Sequence, residues 1–418
     1  MGAPQPNVES WRTRSLARIC EEPFRIFFPA GAALGIVGVS LWILYYLGAS
    51  IPYPSVAHAR LMIEGLMASF IFGFLGTAGP RLTSAPHFSA TEIGTVFTLN
   101  LLAAGAHTGG AHRFGDICFV VCLLLFARML LRRFGQRKDN PPPNFVLVAA
   151  GILSGIIGAA LVAYSEEAQY SSTYQSGSAL LNQCFVLLPI LGVAPFFIGR
   201  LLDLPGSDLP ESRAFSRQWK RQAALNALIG IAIIASFLIE AGGPSRAAAW
   251  IRVAAIAVYL AARMPWRGRT FLADYLRTGL LFILAGFTMM ALWPNYRLGS
   301  LHTVFITGFN LIVFTVATRV VLGHSGNLDR LKTQFWFFIA MSALLFFAMA
   351  SRVSADLAPR ARIIHLLAAA ISWLAAALIW MIKVIPKVTV SEEEAARSSK
   401  SEANSPHEPC GGASARGA

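Results

Sequence analysis

Apolar runs of about 20 residues recur along the whole of this chain, and each is long enough to cross a bilayer as a helix. Inside lipid every backbone N–H and C=O group needs an internal partner, which leaves α-helices and closed barrels as the available structures. The sequence therefore predicts an all-α, polytopic integral membrane helix bundle. Its twelve predicted spans are 25–47, 60–79, 91–107, 112–131, 145–164, 178–201, 222–240, 246–263, 271–293, 300–321, 333–351 and 361–383. No internal sequence repeat is strong enough to group them.

The composition agrees with a membrane location. Only 13% of the 418 residues are charged and 55% are hydrophobic, whereas a soluble domain carries about 25% charged residues. The net charge of +14 is spread over short blocks between the apolar runs, which is how loops set membrane orientation. The lipid bilayer is therefore the expected partner and nucleic acid is not, while protein partners stay unknown.

The basic residues fall mainly on one set of alternate loops, which predicts that both termini are cytoplasmic. The opposite loops at Gly48–Ala57 and Ser165–Gly177 have no Lys or Arg, although the stretch Arg352–Arg362 is an exception. The chain then divides into a cytoplasmic amino-terminal segment (1–24), a transmembrane helical domain (25–387) and a cytoplasmic tail (388–418). The tail is rich in Ser, Glu, Ala and Gly, so we expect it to be disordered.

Histidines are the most informative candidates for chemistry, because the sequence has no phosphate loop, zinc-protease helix, nucleophile elbow or calcium loop. Ionisable groups in membrane spans face the protein interior or a water path, and imidazole is a common ligand of transition metals and heme iron. The alternative is that they are interfacial side chains bonded to loop carbonyls. In the predicted topology, five lie near outer helix ends and two near inner ends: His58, His107, His112, His302 and His365 outside, His87 and His324 inside.

Among the histidines, His58 in the second predicted span has the surroundings that most suggest a binding site. His58, Gly65, Ser69 and Gly76 share one helical stripe, and such small residues permit close approach of a neighbouring helix or of a flat macrocycle below an axial histidine. Glu64 lies off this stripe. It must meet an Arg, water or a polar partner inside the bundle, either in a proton path or in an ion pair.

The residues around two of these histidines resemble the NnrS family. The second span resembles its counterpart in His58–Gly65, Gly73-Phe74-Leu75, Thr77-Ala78 and Pro80; the tenth does so in Leu301-His302, Gly308, Thr318-Arg319-Val320 and Gly323-His324-Ser325-Gly326. Weaker matches run along nearly the whole chain, at Pro23-Phe24-Arg25, Ala194-Pro195-Phe196-Phe197, Trp373 and Pro386. The chain departs from the family pattern at Arg60-Leu61, where a second His and a Glu are usual, and at Gly192-Val193, where the family usually has Gly-Arg.

The resemblance implies a twelve-span membrane protein of the bacterial cytoplasmic membrane that contains heme and copper. It implies a role in nitric-oxide metabolism or relief of nitrosative stress, with nitric oxide or a small metal-bound nitrosyl species as the partner. We expect His58 and His302 to bind a heme between the second and tenth spans. Copper would use the other outer histidines or a thioether, and His324 either serves a structural role with Arg319 or joins His87 in a second metal site. These metal candidates are His107, His112, His365, His324 and Met62.

Two other classes of function stay open at this stage. A transporter or permease without a redox cofactor would fit Pro189 and Pro195 in the sixth span, because discontinuous helices build substrate sites in transporters. An assembly or scaffold subunit would need no site. The sequence leaves open whether the protein catalyses a reaction, senses or transports.

Overall fold

The computed structural model describes residues 8–204, 212–243, 245–327 and 336–389, and within these ranges it contains helices and no strands. We number thirteen helices in chain order: α1 Val8–Glu21, α2 Phe24–Tyr46, α3 Ser55–Thr83, α4 Ala90–Thr108, α5 His112–Gln136, α6 Phe145–Tyr164, α7 Ser172–Leu201, α8 Arg217–Ala241, α9 Arg246–Arg263, α10 Phe271–Leu292, α11 Pro294–His324, α12 Trp336–Leu357 and α13 Pro359–Lys387. The predicted all-α bundle is confirmed.

The twelve predicted spans correspond one to one with α2–α13. Ten of these helices are long and apolar enough to cross a membrane. The other two are α4, which carries Glu92, Asn100 and His107, and α9, which carries three arginines. Both are helical and packed within the bundle, and the buried polar residues Asn100, His107 and Arg252 mark positions that face protein.

The helices form three consecutive units of four, α2–α5, α6–α9 and α10–α13. In each unit the first helix packs against the second, and the third packs against the fourth. The last helix of each unit also packs against the first helix of the next, and α13 closes the ring against α2. This threefold repeat lies in the order and packing of the helices, which explains why the residue sequence did not show it.

The second helix of each unit, α3, α7 or α11, occupies the centre of the bundle. Between 72% and 78% of the most apolar stretch of each is buried, against 33% to 50% in the other seven long apolar helices. Each contains a π-helical segment, at Leu61–Met67, Leu180–Cys184 and Thr303–Asn310. A π turn inserts an extra residue and re-aims nearby side chains, and such turns are frequent at functional sites.

The small-residue stripe of α3 serves helix packing. A Cβ atom at Gly65 would lie 3.1 Å from Leu34 Cβ, and one at Gly31 would lie 2.8 Å from Ser69 Cβ. At Gly76 it would meet Pro23 at 3.1 Å. Of the two alternatives for this stripe, the structure shows close approach of a neighbouring helix and not room for a macrocycle, because α2 and the residue before it fill the space.

Three further predictions from the sequence can be compared with the structure at individual residues. Pro189 and Pro195 lie inside one continuous helix from Phe185 to Leu201, so the sixth span is not broken as the transporter interpretation assumed. Arg352 is buried and pairs with Asp356 at 3.0 Å, so it is a bundle residue and not a loop charge. Most of the predicted tail, residues 390–418, lies outside the described residues, but Val388 is buried and its carbonyl accepts from Arg25.

Candidate functional site

A buried ionic cluster lies where the first four-helix unit brings α3, α4 and α5 together. Arg60 directly precedes the π-helical segment of α3 and Glu64 lies within it, and their side chains are 2% and 1% exposed. We call the set Arg60, Glu64, His107 and Asp116 the ionic cluster. Charged groups at this depth are costly unless they pair, so their burial together indicates a built site.

The helix α4 delivers His107 to this cluster from the end of a well-defined helix. The α4 helix begins with a capping box in which Ser89 and Glu92 exchange hydrogen bonds between side chains and backbone. It ends in a turn where Gly110 takes the left-handed conformation at φ +83°. His107 is fully buried in the last turn of α4.

The helix α5 supplies Asp116 and a place for the imidazole of His107. A Cβ atom at Gly115 would lie 2.5 Å from His107 Cε1, so only glycine allows the ring to occupy this position. Because the turn between α4 and α5 is short, His112 at the start of α5 stacks on His107 with ring centroids 5.7 Å apart.

The contacts within the ionic cluster are short and directional. Arg60 Nε donates to Asp116 Oδ1 at 2.6 Å and lies 3.3 Å from Glu64 Oε1. At the other oxygen of the Glu64 carboxylate, His107 Nε2 lies 3.0 Å from Glu64 Oε2. Two carboxylates thus face one guanidinium and one imidazole, and with both acids ionised the cluster has one negative charge in excess.

A second layer of polar groups fixes the backbone at Glu64. Asn100 Nδ2 donates to the Glu64 carbonyl oxygen at 2.6 Å, and Asn100 Oδ1 accepts from Ser69 Oγ at 2.9 Å. Both groups are buried. This bracing holds the π-helical segment, and with it the carboxylate, in a fixed position.

Several polar atoms of the cluster have no hydrogen-bond partner although they are buried. They are Arg60 Nη2, Glu64 Oε1, His107 Nδ1, Asp116 Oδ2 and the neighbouring His112 Nδ1. Leaving a buried donor or acceptor unpaired costs about 1–3 kcal/mol each. So many unpaired atoms in one place, together with the excess negative charge, favour the uptake of a proton, a water or a cation.

The donor set fits a metal ion. One ligand atom each from Glu64, His107 and Asp116 lies within 4.8 Å of the other two. Imidazole together with carboxylate suits divalent copper, iron or zinc better than monovalent copper, which prefers sulfur. Arg60 now holds both carboxylates, so a metal would share or displace its guanidinium.

Two further histidines occupy the ends of the central helices α3 and α11. His58 Nδ1 lies 3.0 Å from the Gly38 carbonyl oxygen, and His302 Nδ1 lies 2.8 Å from the Leu298 carbonyl oxygen. Since a carbonyl only accepts, each Nδ1 carries the proton and each Nε2 keeps its lone pair. This is the arrangement of metal-bound histidines, whose other ring nitrogen is tied to an acceptor. The two rings lie within electrostatic range of each other and of Arg352.

The other predicted metal candidates lie in different surroundings. His365 Nδ1 lies 3.4 Å from Ser351 Oγ, and Met62 packs beside Gly38, next to the carbonyl that holds His58. At the opposite end of the bundle, His324 donates from Nδ1 to the Val320 carbonyl while its Nε2 contacts Arg81. The five outer histidines therefore do not form one site: His107 belongs to the ionic cluster and His112 stacks on it, whereas His58, His302 and His365 each bond to a partner outside the cluster.

Sequence reasoning missed Asp116 and Asn100. Asp116 was detectable, because it is an acidic residue in an apolar run and lies one helical turn after His112. The polar Asn100 in the third predicted span gave the same kind of signal. The role of Arg60 was also missed, since it first stood out only as a departure from a family pattern.

The fold and the cluster define a polytopic helical membrane protein with buried ionisable and imidazole groups. The model of the NnrS protein family matches the chain over residues 18–390. The chain therefore belongs to the NnrS family. No curated protein sequence matches it significantly.

Proposed function

We propose that this NnrS protein binds heme and copper in the bacterial cytoplasmic membrane and protects the cell against nitric oxide. The observation that carries the proposal is the pair His58 and His302, each with Nδ1 tied to a carbonyl and Nε2 left for a ligand. Membership of the family supports the same assignment.

The chain's residues fit the two groups in different ways. His58 and His302 would hold the heme, because they come from two neighbouring central helices and offer neutral imidazole. Copper would use the ionic cluster, where Glu64, His107 and Asp116 offer three donors. A heme, when bound, supplies an iron that coordinates nitric oxide. The protein's part is to orient the imidazoles and to exclude water within a buried bundle.

A site reached from within the membrane suits this ligand. Nitric oxide is small and neutral, so it partitions into lipid and needs no aqueous pore. The histidine pair lies near the starts of membrane-crossing helices, and apolar residues beside each histidine in the sequence, Val56 and Leu301, are partly exposed. This location supports a protective role that does not require an extramembrane domain.

An absorption spectrum with metal analysis tests the proposal. The chain would be produced with added heme precursor and copper, purified, and analysed for heme and copper per chain, before and after exposure to nitric oxide. We expect a heme band that shifts with nitric oxide, and loss or shift of that band in His58→Ala and His302→Ala. His324→Asn, at the opposite end of the bundle, is the matched control and should keep the spectrum. A heme band that is unchanged in both alanine variants would place the heme elsewhere.

A transporter without a redox cofactor is the second candidate. It is favoured by a cavity that lies between α3, α7 and α11 at the centre of the bundle. If the purified parent protein holds neither heme nor copper after growth with both, the metalloprotein proposal fails and the transporter takes its place.

A further inference from the structure

The three central helices line a common cavity with apolar side chains. Ile71 and Phe74 of α3 are three residues apart, as are Val313 and Val316 of α11, so each pair shares one helix face. These four side chains stay partly exposed, although the most apolar stretch of each central helix is 72% to 78% buried. Their remaining exposure is to the cavity that they line.

This cavity has two parts, which we call the upper and the lower compartment. The upper compartment has a volume of about 70 Å³ and lies between Met67 and the rings of Phe74 and Phe197. The lower compartment, of about 200 Å³, has the same two rings in its wall together with polar side chains such as Arg319 and His324. The two phenylalanine rings contact each other edge to face, with centroids 6.1 Å apart. An aromatic pair therefore separates a polar space from the upper compartment.

The wall of the upper compartment is apolar throughout the described part of the chain. The residues that line it come from α3, α7 and α11, together with Phe28 of α2 and Leu276 of α10. Helical backbone groups bond within their own helix, so water finds few hydrogen-bond partners here and an apolar cavity of this kind stays dry. An empty space also leaves its lining without dispersion contacts. An apolar guest would restore these contacts and lose little hydration.

The volume of the upper compartment limits the guest to a few atoms. A cavity of about 150 Å³ lined by aliphatic and aromatic side chains accepts benzene or xenon, and the upper compartment is smaller, at about 70 Å³. At roughly 10–15 Å³ for each water-sized group, it holds about five to seven such groups. This number is too small for an acyl chain and sufficient for a few diatomic molecules.

The upper compartment lies on the same two helices as the histidine pair. Met67 follows His58 by nine residues, and Ile312 follows His302 by ten. At 1.5 Å per residue the compartment therefore begins about 14–15 Å along the helix axes from the histidines. In a hydrocarbon core about 30 Å thick, this position is near the middle of the membrane. A small neutral gas dissolves in lipid and reaches this depth without an aqueous pore.

We propose that the upper compartment is a docking site for a small neutral gas. The docking itself follows from the apolar wall, the small volume and the depth of the compartment. That the gas is nitric oxide rests on the function proposed above. A molecule held here stays inside the bundle, on the two helices that carry His58 and His302.

Xenon is the probe for the docking site, because it is apolar, of similar size to a diatomic gas, and visible by its anomalous scattering. Crystals of the purified full chain would be pressurised with xenon. We expect xenon in the upper compartment, between Met67 and the ring of Phe74. Ordered water, a lipid or detergent chain in the compartment, or a compartment without xenon, would overturn the proposal.

Two variants and a control test whether the compartment itself holds the gas. Val313→Phe and Val316→Phe each place a larger side chain in the upper compartment, so the xenon should be lost. Val258→Phe makes the same change at a residue that is 60% exposed and does not line the compartment, so the xenon should be kept. Xenon at its parent position and occupancy in both cavity variants contradicts the assignment.

Flash photolysis of nitric oxide from the heme of the loaded protein identifies the gas. We expect a slow phase of rebinding, from molecules that stay in the upper compartment before they return. Xenon pressure and Val316→Phe should each remove this phase, and Val258→Phe should keep it. The same rebinding course with and without xenon refutes the docking of nitric oxide. If the purified protein holds no heme while xenon occupies the compartment, the proposed function fails and the gas site stands.

Discussion

Replacing Arg60 by Met tests whether the guanidinium serves as the cation of the ionic cluster. In the parent, Arg60 donates to Asp116 at 2.6 Å and lies 3.3 Å from Glu64, and all three side chains are at most 2% exposed. Methionine keeps much of the length and apolar character of the side chain. The variant therefore leaves two buried carboxylates without a positive charge beside them.

The expected loss of stability follows from this burial. Removing one partner of a buried ion pair costs about 3–5 kcal/mol. An unfolding entropy of about 2.1 cal/mol/K per residue gives about 0.9 kcal/mol/K for the whole chain. The melting temperature should therefore fall by about 3–6 °C.

The buried cysteines provide an assay for this loss. Cys118, Cys122 and Cys184 are buried, so a thiol-reactive fluorogenic dye reports their exposure on heating. Arg269→Met is the matched control, because it breaks an Arg–Asp pair whose arginine side chain is 85% exposed. Such a surface pair contributes about 1 kcal/mol or less.

A second measurement asks whether a metal can replace the lost charge. Addition of divalent copper or zinc to Arg60→Met should restore part of the melting temperature, and should affect the parent less. The double variant Arg60→Met with Asp116→Asn should also recover part of the loss, because one carboxylate charge is gone. If Arg60→Met melts like the parent, the two carboxyl groups are neutral in the folded protein and the ion-pair argument is refuted.

Three further predictions concern other parts of the chain. Burial alone would raise the pKa of Glu22, but the charges of His324 and Arg25 and hydrogen bonds from Arg25 and Arg81 hold this pKa below its ordinary value. The resulting stabilisation is present above the pKa of the unfolded state and is lost as the pH falls through the lower pKa of the folded state. The melting temperature should therefore fall less on acidification in Glu22→Gln than in the parent. His324→Asn should lower the melting temperature while the cofactor spectrum is kept, and loss of cofactor at unchanged stability would indicate a second metal site. With both termini predicted to be cytoplasmic, a reporter that is active only in the periplasm should work when fused after Ser50 or Ser171 and not after Arg137 or Ser216. Any other pattern contradicts the orientation.

The spans were predictable because burial in lipid needs long apolar helices whatever their packing. All twelve predicted segments are helices, although α3 begins at Ser55 and α7 at Ser172, several residues earlier than expected. Most of those extra residues are polar or small, and hydropathy alone does not include them. The partner of Glu64 was also predictable in kind, because a buried acid must pair, and it pairs with Arg60 and His107.

The shape of the site was not predictable from one sequence. His107 reaches Glu64 only because Gly115 leaves space for its ring, and because the turn at Gly110 brings α5 back beside α4. The sequence prediction placed side chains around the helix with 3.6 residues per turn, and this spacing does not reveal a π turn. The direction in which Glu64 points relative to His58 was therefore not predictable. The division of the outer histidines between two places depends on these tertiary features.

The threefold repeat explains why these sites lie where they do. The three units pack into a closed ring, which places α3, α7 and α11, each with a π turn, at the centre. One end of these central helices carries His58 and His302, and the other end carries one arginine from each helix. The ionic cluster belongs to the first unit alone, whereas His58 belongs to the first unit and His302 to the third. A change at the cluster should therefore act within one unit, whereas a heme held by both histidines, as proposed, would link two.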